Sequence, residues 1–327
     1  MTAPLSLGLA LGGASTPDEW RRCLHLAERA DTLGLHSLWL PEGHFRPGAT
    51  ASPLLALAAF AARTRQIRLA TTSLLLPIHH PLRAAADAAA VDRLSRGRLL
   101  LGLGRGFQSP LFAGFGVESG TKRDRFDEAL DAILAAWSGE PIELRGAHFS
   151  ALGGESVRLA VRPVQCPHPP LVVAAFGPKG LRQAARRGLP YLASPLEPLE
   201  ILVENYARWR DDRVGDAPQG APLVPVMRTV YVGEAPADVA RVRAALESES
   251  RAIPKNAPKA LARAASGALE DRVLVGTEAE VAEGIARYRE RLGLDLLVVR
   301  TEVPGVAPDE RERSLERLVH GVLPLVA

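Results

Sequence analysis

Short apolar runs and stretches of helical periodicity alternate along this chain from end to end. Residues 5–11 form an apolar run of strand length. Residues 16–33 follow with Trp20, Cys23, Leu24, Ala27 and Ala30 at three-to-four spacing, which is one face of a helix. Thr16 as N-cap, Pro17 at the first helical position and Glu19 in a capping box predict its start, and Gly34 its end. The same reading predicts strands at 37–40, 67–75 and 99–104, and helices at 53–64, 81–94 and 122–137. At 142–150 and 157–162 the alternation pauses, and a hairpin is expected with Gly153 and Gly154 between its arms. It resumes with strands at 171–174, 191–193, 223–232 and 294–300. Helices are expected at 178–187, 197–211, 236–250, 278–292 and 309–322, with Thr277 and Glu280 as a second capping box.

Eight strands, each followed by a helix, predict an α/β fold, a (β/α)8 TIM barrel with insertions. Strands that are apolar on both faces need helices outside them, as a parallel sheet provides. A doubly wound open sheet is the alternative if two of the short strands are wrong. No composition shift marks a linker, so residues 1–327 read as one domain with a hairpin insertion near 141–163 and a helical excursion near 236–270.

Composition narrows the class. At 47% hydrophobic and 24% charged the chain is an ordinary globular one. Its longest apolar run, 54–62, is far shorter than the roughly 20 residues that span a bilayer. No Lys or Arg precedes Gly13, so a secretory signal is not expected. Two cysteines, Cys23 and Cys166, make no disulfide framework and point to a reducing cytoplasm. The net charge of +3 has no basic block, which argues against a nucleic-acid partner.

In such a barrel the chemistry lies where strands end. After the second strand come Glu42, Gly43, His44 and Phe45, and His44 beside Glu42 is a candidate acid or base. After the fourth come Gly102, Gly104, Arg105, Gly106 and Phe107. A dinucleotide fingerprint fails there, because its third glycine falls on Phe107 and no helix opens. The glycines instead let backbone approach a flat ligand or phosphate with Arg105 as anion partner, or simply make a tight turn. After the fifth strand Gly177, Pro178, Lys179 and Gly180 open a helix, whose exposed amides and added lysine suit a phosphate. His79 and His80 are adjacent and flanked by prolines, which suggests a structural turn rather than a metal site, and no metal is expected. Neither H-E-x-x-H nor G-x-S-x-G occurs.

Taken together, these segments resemble the bacterial luciferase-like flavin-dependent monooxygenase superfamily. The resemblance is carried by residues 38–45, 63–75, 77–83, 94–98 and 102–106. Phe115-Gly116, the stretch 123–130, Gly188-Leu189-Pro190 and Val275-Gly276-Thr277 before Glu280 extend it over nearly the whole chain.

The resemblance implies a barrel that binds reduced FMN, or the deazaflavin F420 in some branches. Thr72 and Ser73 would form a bulge, with a non-prolyl cis peptide, under the isoalloxazine ring. Arg105 would contact the cofactor phosphate, helped by the Phe107 backbone and by Arg123. Phe176, Gly177, Lys179 and Gly180 would line the ring edge and phosphate, with Arg105 and residues 177–180 meeting on one phosphate. His44 would face the reacting ring. The expected activity is oxygenation of a small organic substrate with reduced FMN and O2, with a flavin reductase as supplier. Hydride transfer with F420 is the alternative, and a flavin-binding protein without turnover the reading from another class. One departure matters: members commonly carry two histidines after the Glu, and here Gly43 takes the first place. In the luciferases that histidine is the one most tied to catalysis, so light emission is not expected. Helix 53–64, apolar on every face, and the alanine run of 81–94 point to a homodimer.

Overall fold

The computed structural model describes residues 4–46, 48–175, 177–215, 223–251 and 267–326. Contacts divide the chain into two compact units, Gly12–Ala174 and a second made of Met1–Leu11 with Ala175–Ala327. Strand β1 (Ser6–Ala10) belongs to the second.

The unit of Gly12–Ala174 opens with α1 (Pro17–Thr32), β2 (Ser37–Leu40), α2 (Pro53–Arg63), β3 (Arg68–Thr71), β4 (Leu74–Leu75), α3 (Pro81–Leu94) and β5 (Leu99–Gly104). It continues with α4 (Ser109–Gly114), α5 (Lys122–Ser138), β6 (Ile142–Glu143), β7 (Ser156–Val157) and β8 (Leu171–Ala174). Strands β2, β3, β5 and β8 run parallel, with Leu38 beside Leu69, Leu69 beside Leu99, and Leu101 beside Leu171. Their side chains are buried on both faces, which is why the segments read as unbroken apolar runs. The Thr16–Glu19 capping box forms as expected, and Gly34 takes a φ of 72° just beyond α1. Trp137 of α5 donates its indole N–H to the Ala85 carbonyl of α3 at 3.0 Å, which ties those helices together. Asp92, fully buried, accepts the backbone N–H groups of Val164 and Gln165 and so fastens the chain that leads into β8.

Two sequence readings need correction here. Residues 67–75 are not one strand: β3 ends at Thr71, the Thr72–Ser73 bond is cis, and β4 begins at Leu74. The hairpin arms at 142–150 and 157–162 are mostly irregular: β6 and β7 pair antiparallel, and Arg145 and Ser150 add one isolated antiparallel bridge. Helix α4 is an addition to the expected elements. Its six residues sit between two glycine-containing turns and are too few to show a periodicity.

In the other unit, α6 (Gly177–Arg186), β9 (Tyr191–Leu192), α7 (Leu199–Asp212), β10 (Pro225–Val232), α8 (Pro236–Arg251) and β11 (Val273–Gly276) precede β12 (Leu296–Arg300). Strands β11, β10, β12 and β1 are parallel in that order. Strand β11 is an addition to the eight expected strands: at four residues, it merges in the sequence with the approach to the second capping box. That box forms at Thr277 and Glu280 and starts the helix Glu278–Leu292. The expected helix over 197–211 starts two residues late because Glu197 turns inward instead. It accepts the Tyr191 hydroxyl at 2.5 Å, the Ser194 N–H at 2.8 Å and the Asn205 amide at 2.8 Å. Arg228, fully buried in the middle of β10, donates to the carbonyls of Ser194, Met227 and Glu197 and to the Tyr288 hydroxyl. Most of the expected excursion beyond α8 falls on 252–266, outside the described residues.

Candidate active site

The chain leaves β2 at Leu40 and turns through Pro41 to Glu42, whose side chain is fully enclosed. Residues 43–50 then make a tight loop, closed by the Gly43 N–H on the Thr50 carbonyl at 2.9 Å. A second segment seals it: a side chain at Gly13 would overlap the Gly48 carbonyl, and the Ala14 N–H reaches the Thr50 hydroxyl at 3.3 Å. Here glycine is required by close approach of two backbones.

Glu42 receives three donors. His44 Nε2 and His79 Nε2 each lie 2.8 Å from Oε1, and the Leu75 N–H lies 2.7 Å from Oε2. Burial pushes the Glu42 carboxyl up, but His79, the Leu75 N–H and His44 together hold it below its ordinary value. The pairing of Glu42 with His44 is legible in their spacing. That of His79 is not. The sequence suggests a turn at Pro77–Pro81, and a turn is present, a 3-10 stretch at Leu76–Ile78. Its effect is to bring His79 back onto Glu42 while His80 stays exposed.

An aromatic cluster borders His44. Its ring meets Phe115 edge-on at 4.7 Å between centroids, and Phe45 packs against both at 5.9–6.0 Å. Phe45 is 60% exposed, and Phe107 and Phe115 are also exposed. A side chain at Gly114 would strike the Phe45 ring, so α4 must end in glycine for that ring to lie down. At Gly43 an added Cβ would come within 3.3 Å of Arg46 Nε and of the Ala49 Cβ. The guanidinium therefore stands beside the position where relatives of the expected kind carry their first histidine.

Cations gather beyond β5. Arg105 is half-buried; burial first, then the nearby Arg123, lowers its pKa, with Asp127 opposing. Lys122, at the start of α5, is lowered by burial and by the same two arginines, and its ammonium lies 5.3 Å over the Phe112 ring. Arg105 and Arg123 are the expected pair; Lys122 escapes sequence reading because it precedes the helical periodicity. A group of three cations drawn together in this way suits a phosphate dianion.

The glycines before Arg105 are required by close packing within the fold. A Cβ at Gly102 would land 2.0 Å from the Thr71 carbonyl oxygen, and one at Gly104 would land 1.9 Å from Ser73 Oγ. At Gly102 and Gly104 the missing side chain admits the neighbouring β3–β4 segment, and at Gly106 it admits Leu111. Thr72 and Ser73, both half-buried, sit in that segment, with the Thr72 N–H on the Leu40 carbonyl at 2.8 Å. In the other unit, Gly177 begins α6 with a φ of 68°, Lys179 is exposed and Gly180 is buried. Phe176 lies outside the described residues.

Known proteins resemble this chain in sequence and in fold. Residues 5–295 match the family model described as luciferase-like monooxygenase. The uncharacterized protein y4wF of Sinorhizobium fredii is 36% identical over 211 residues, covering 64% of this chain and 61% of that protein. The alignment thus spans under two thirds of that relative. The oxygenase component of the flavin-dependent trigonelline monooxygenase of Acinetobacter baylyi is 27% identical, over 92% of this chain and 88% of its own. Among solved structures, the monooxygenase RslO1 of Streptomyces bottropensis superposes with a TM-score of 0.82 at 29% identity, over 99% of this chain and 100% of its own. The fold class is accordingly that of the luciferase-like (β/α)8 barrels.

Proposed function

The chain belongs to the luciferase-like monooxygenase family, and from that premise we propose that it is a flavin-dependent monooxygenase. It would use reduced FMN and O2 to oxygenate a small organic substrate. The observation that carries this reading is the Glu42–His44 pair, a buried carboxylate bonded at 2.8 Å to an imidazole on the rim of an aromatic cluster.

The residues present fit the cofactor. Arg105, Lys122 and Arg123 would hold its phosphate, with the Phe107 backbone alongside. Thr72 and Ser73, in the same unit as Arg105, would support the ring system. When bound, reduced flavin supplies the electrons and the site of oxygen activation. The protein's own share is smaller and definite. Glu42 orients His44 through the 2.8 Å bond to Nε2, so that His44 would hold or release a proton at the reacting face. Phe45, Phe107 and Phe115 offer apolar area that would shed water when a substrate settles on them.

The test is incubation of the protein with FMN, a flavin reductase, NADH and ¹⁸O2 against a panel of small organic compounds. Incorporation of one labelled oxygen atom into any of them supports the reading. Hydride transfer with reduced F420, with no oxygen incorporated, would favour the F420 alternative. Binding of reduced flavin with no turnover on any compound would favour a binding protein.

A cytoplasmic homodimer completes the proposal. Leu55 on α2 is 75% exposed and Leu94 at the end of α3 is 63% exposed, while Leu54, Leu57 and Phe60 point inward. Among the described residues no helix is long and apolar enough to cross a membrane. Sedimentation at micromolar concentration should show a dimer that Leu55→Glu weakens; a wild-type monomer contradicts it.

A further inference from the structure

Glu42 holds two imidazoles on a single oxygen, with His44 Nε2 and His79 Nε2 both 2.8 Å from Oε1. An ionised carboxylate accepts hydrogen bonds and has none to donate. Each imidazole must therefore present an N–H to it, and in a neutral ring that N–H is on Nε2. The lone pair of His44 then lies on Nδ1, on the side away from Glu42. This holds only while Glu42 stays ionised, and its enclosure works against that. Of the influences that oppose burial, His79 is the largest, ahead of the Leu75 N–H and His44.

We propose that His79 is a positioning residue: through the oxygen it shares with His44, it fixes the His44 proton on Nε2 and leaves Nδ1 as the basic nitrogen. The consequence for catalysis rests on the reading of His44 as the residue that handles the proton; the tautomer assignment does not. Exposure supports the division of labour. The His79 side chain is 29% exposed against 13% for His44, so His79 is the better placed of the two to exchange protons with solvent.

The charged groups around the trio are few. Arg46 stands in the same loop as His44, close to Gly43. Arg125 reaches from α5 to the Pro77 carbonyl at 2.9 Å, beside the turn that carries His79. His80 turns to the Phe149 ring. Among the described residues, the segment after α4 brings the apolar Phe115 ring, and β4 the Leu75 N–H.

Ring ¹⁵N spectra of the flavin-free protein read the tautomers, and carboxyl ¹³C spectra read Glu42. In the wild type, neutral His44 is expected to carry its proton on Nε2 with Nδ1 bare. His79→Leu takes away one donor, so the Glu42 titration should rise by about one pH unit or more. Glu42 then holds the His44 N–H less firmly, and the neutral fraction of His44 should include the tautomer with its proton on Nδ1. His79→Gln keeps an N–H for Glu42 and should restore both signals. His79→Asn, too short to reach, serves in place of the leucine variant if that does not fold. A wild-type His44 with its proton on Nδ1 overturns the proposal. So does a folded His79→Leu or His79→Asn protein in which both signals stay where they were. Oxygen uptake with reduced FMN separates this from the functional reading: the rate lost by His79→Leu at acid pH should return in His79→Gln. If His44→Gln keeps the full rate, the catalytic role of His44 fails while the tautomer result stands.

Discussion

Glu42 and Glu197 are both buried acids, 7% and 2% exposed, and the carboxylate of each accepts three hydrogen bonds. Burial pushes both up, yet one ends low and the other high. Glu42, held by two imidazoles and an amide, falls below its ordinary value. Glu197, held by a phenol, a carboxamide and an amide, ends above it despite the nearby Arg228. The number of donors is the same, so the number does not decide the direction. What differs is the depth of burial, greater at Glu197, and the close imidazole of His79, which adds charge as well as a hydrogen bond at Glu42. The surroundings differ in the same sense. His44 and His79 keep some contact with solvent, whereas Tyr191 and Tyr206 around Glu197 have none. One carboxylate borders side chains that reach solvent, and the other is closed in by side chains that do not.

That contrast is sharpest where the two are cut. Glu42→Gln should leave a folded protein whose turnover with reduced FMN falls by about 10²–10⁴-fold, the range for loss of a positioned acid–base partner. A rate within a few-fold of wild type, measured by oxygen uptake, would remove Glu42 from the machinery. In the other unit the corresponding cut is structural. Arg228→Ala leaves Glu197 buried beside a lost cation and strips four hydrogen bonds, at a cost of about 3–5 kcal/mol in urea unfolding. A loss under about 1 kcal/mol would mean the network adds little to stability.

Sequence reading reaches these two regions unequally. Glu42 and His44 are two residues apart, so their pairing needs no knowledge of the fold. His79 is 37 residues from Glu42 and meets it only because a 3-10 turn brings it back. Nothing in Pro77–Pro81 alone says which way that turn faces. Arg228 is harder still: it sits among apolar residues of β10, and a lone charge in a strand reads as a solvent-facing position until the network around it is known. Local signals fare best, as both capping boxes show, because every atom they need is within three residues. The glycines of β5 are ambiguous for the opposite reason. Glycine reports close approach but not of what, and here the answer is a neighbouring strand.

Smaller effects test the same contrast by pH. A carboxyl lowered on folding stabilises above its unfolded value of about 4.5, and that contribution disappears as pH falls through the folded value. A raised one, like Glu197, stabilises below about 4.5 and loses that contribution as pH rises through its folded value. Relative to wild type, Glu42→Gln should therefore lose ground between pH 4 and pH 7, and Glu197→Gln should gain it. The slopes are expected to be opposite in sign, on the order of 1.4 kcal/mol for each tenfold change that folding makes in the acid's dissociation constant. Parallel slopes in urea midpoints at the two pH values would erase the distinction between the acids.

The central claim is that this chain binds reduced FMN through the cations beyond β5 and keeps the Glu42–His44 pair for chemistry. Anaerobic titration of reduced FMN into the wild type, Arg105→Ala and Glu42→Gln tests it most directly. Saturable binding is expected in the wild type, weakened about 10- to 100-fold in Arg105→Ala, as loss of a charge-assisted contact predicts. Arg105→Lys should also weaken it, because a point charge does not replace the guanidinium fork. Glu42→Gln should bind within a few-fold of wild type. Absent binding by the wild type, or equal affinity in wild type and Arg105→Ala, would contradict the account.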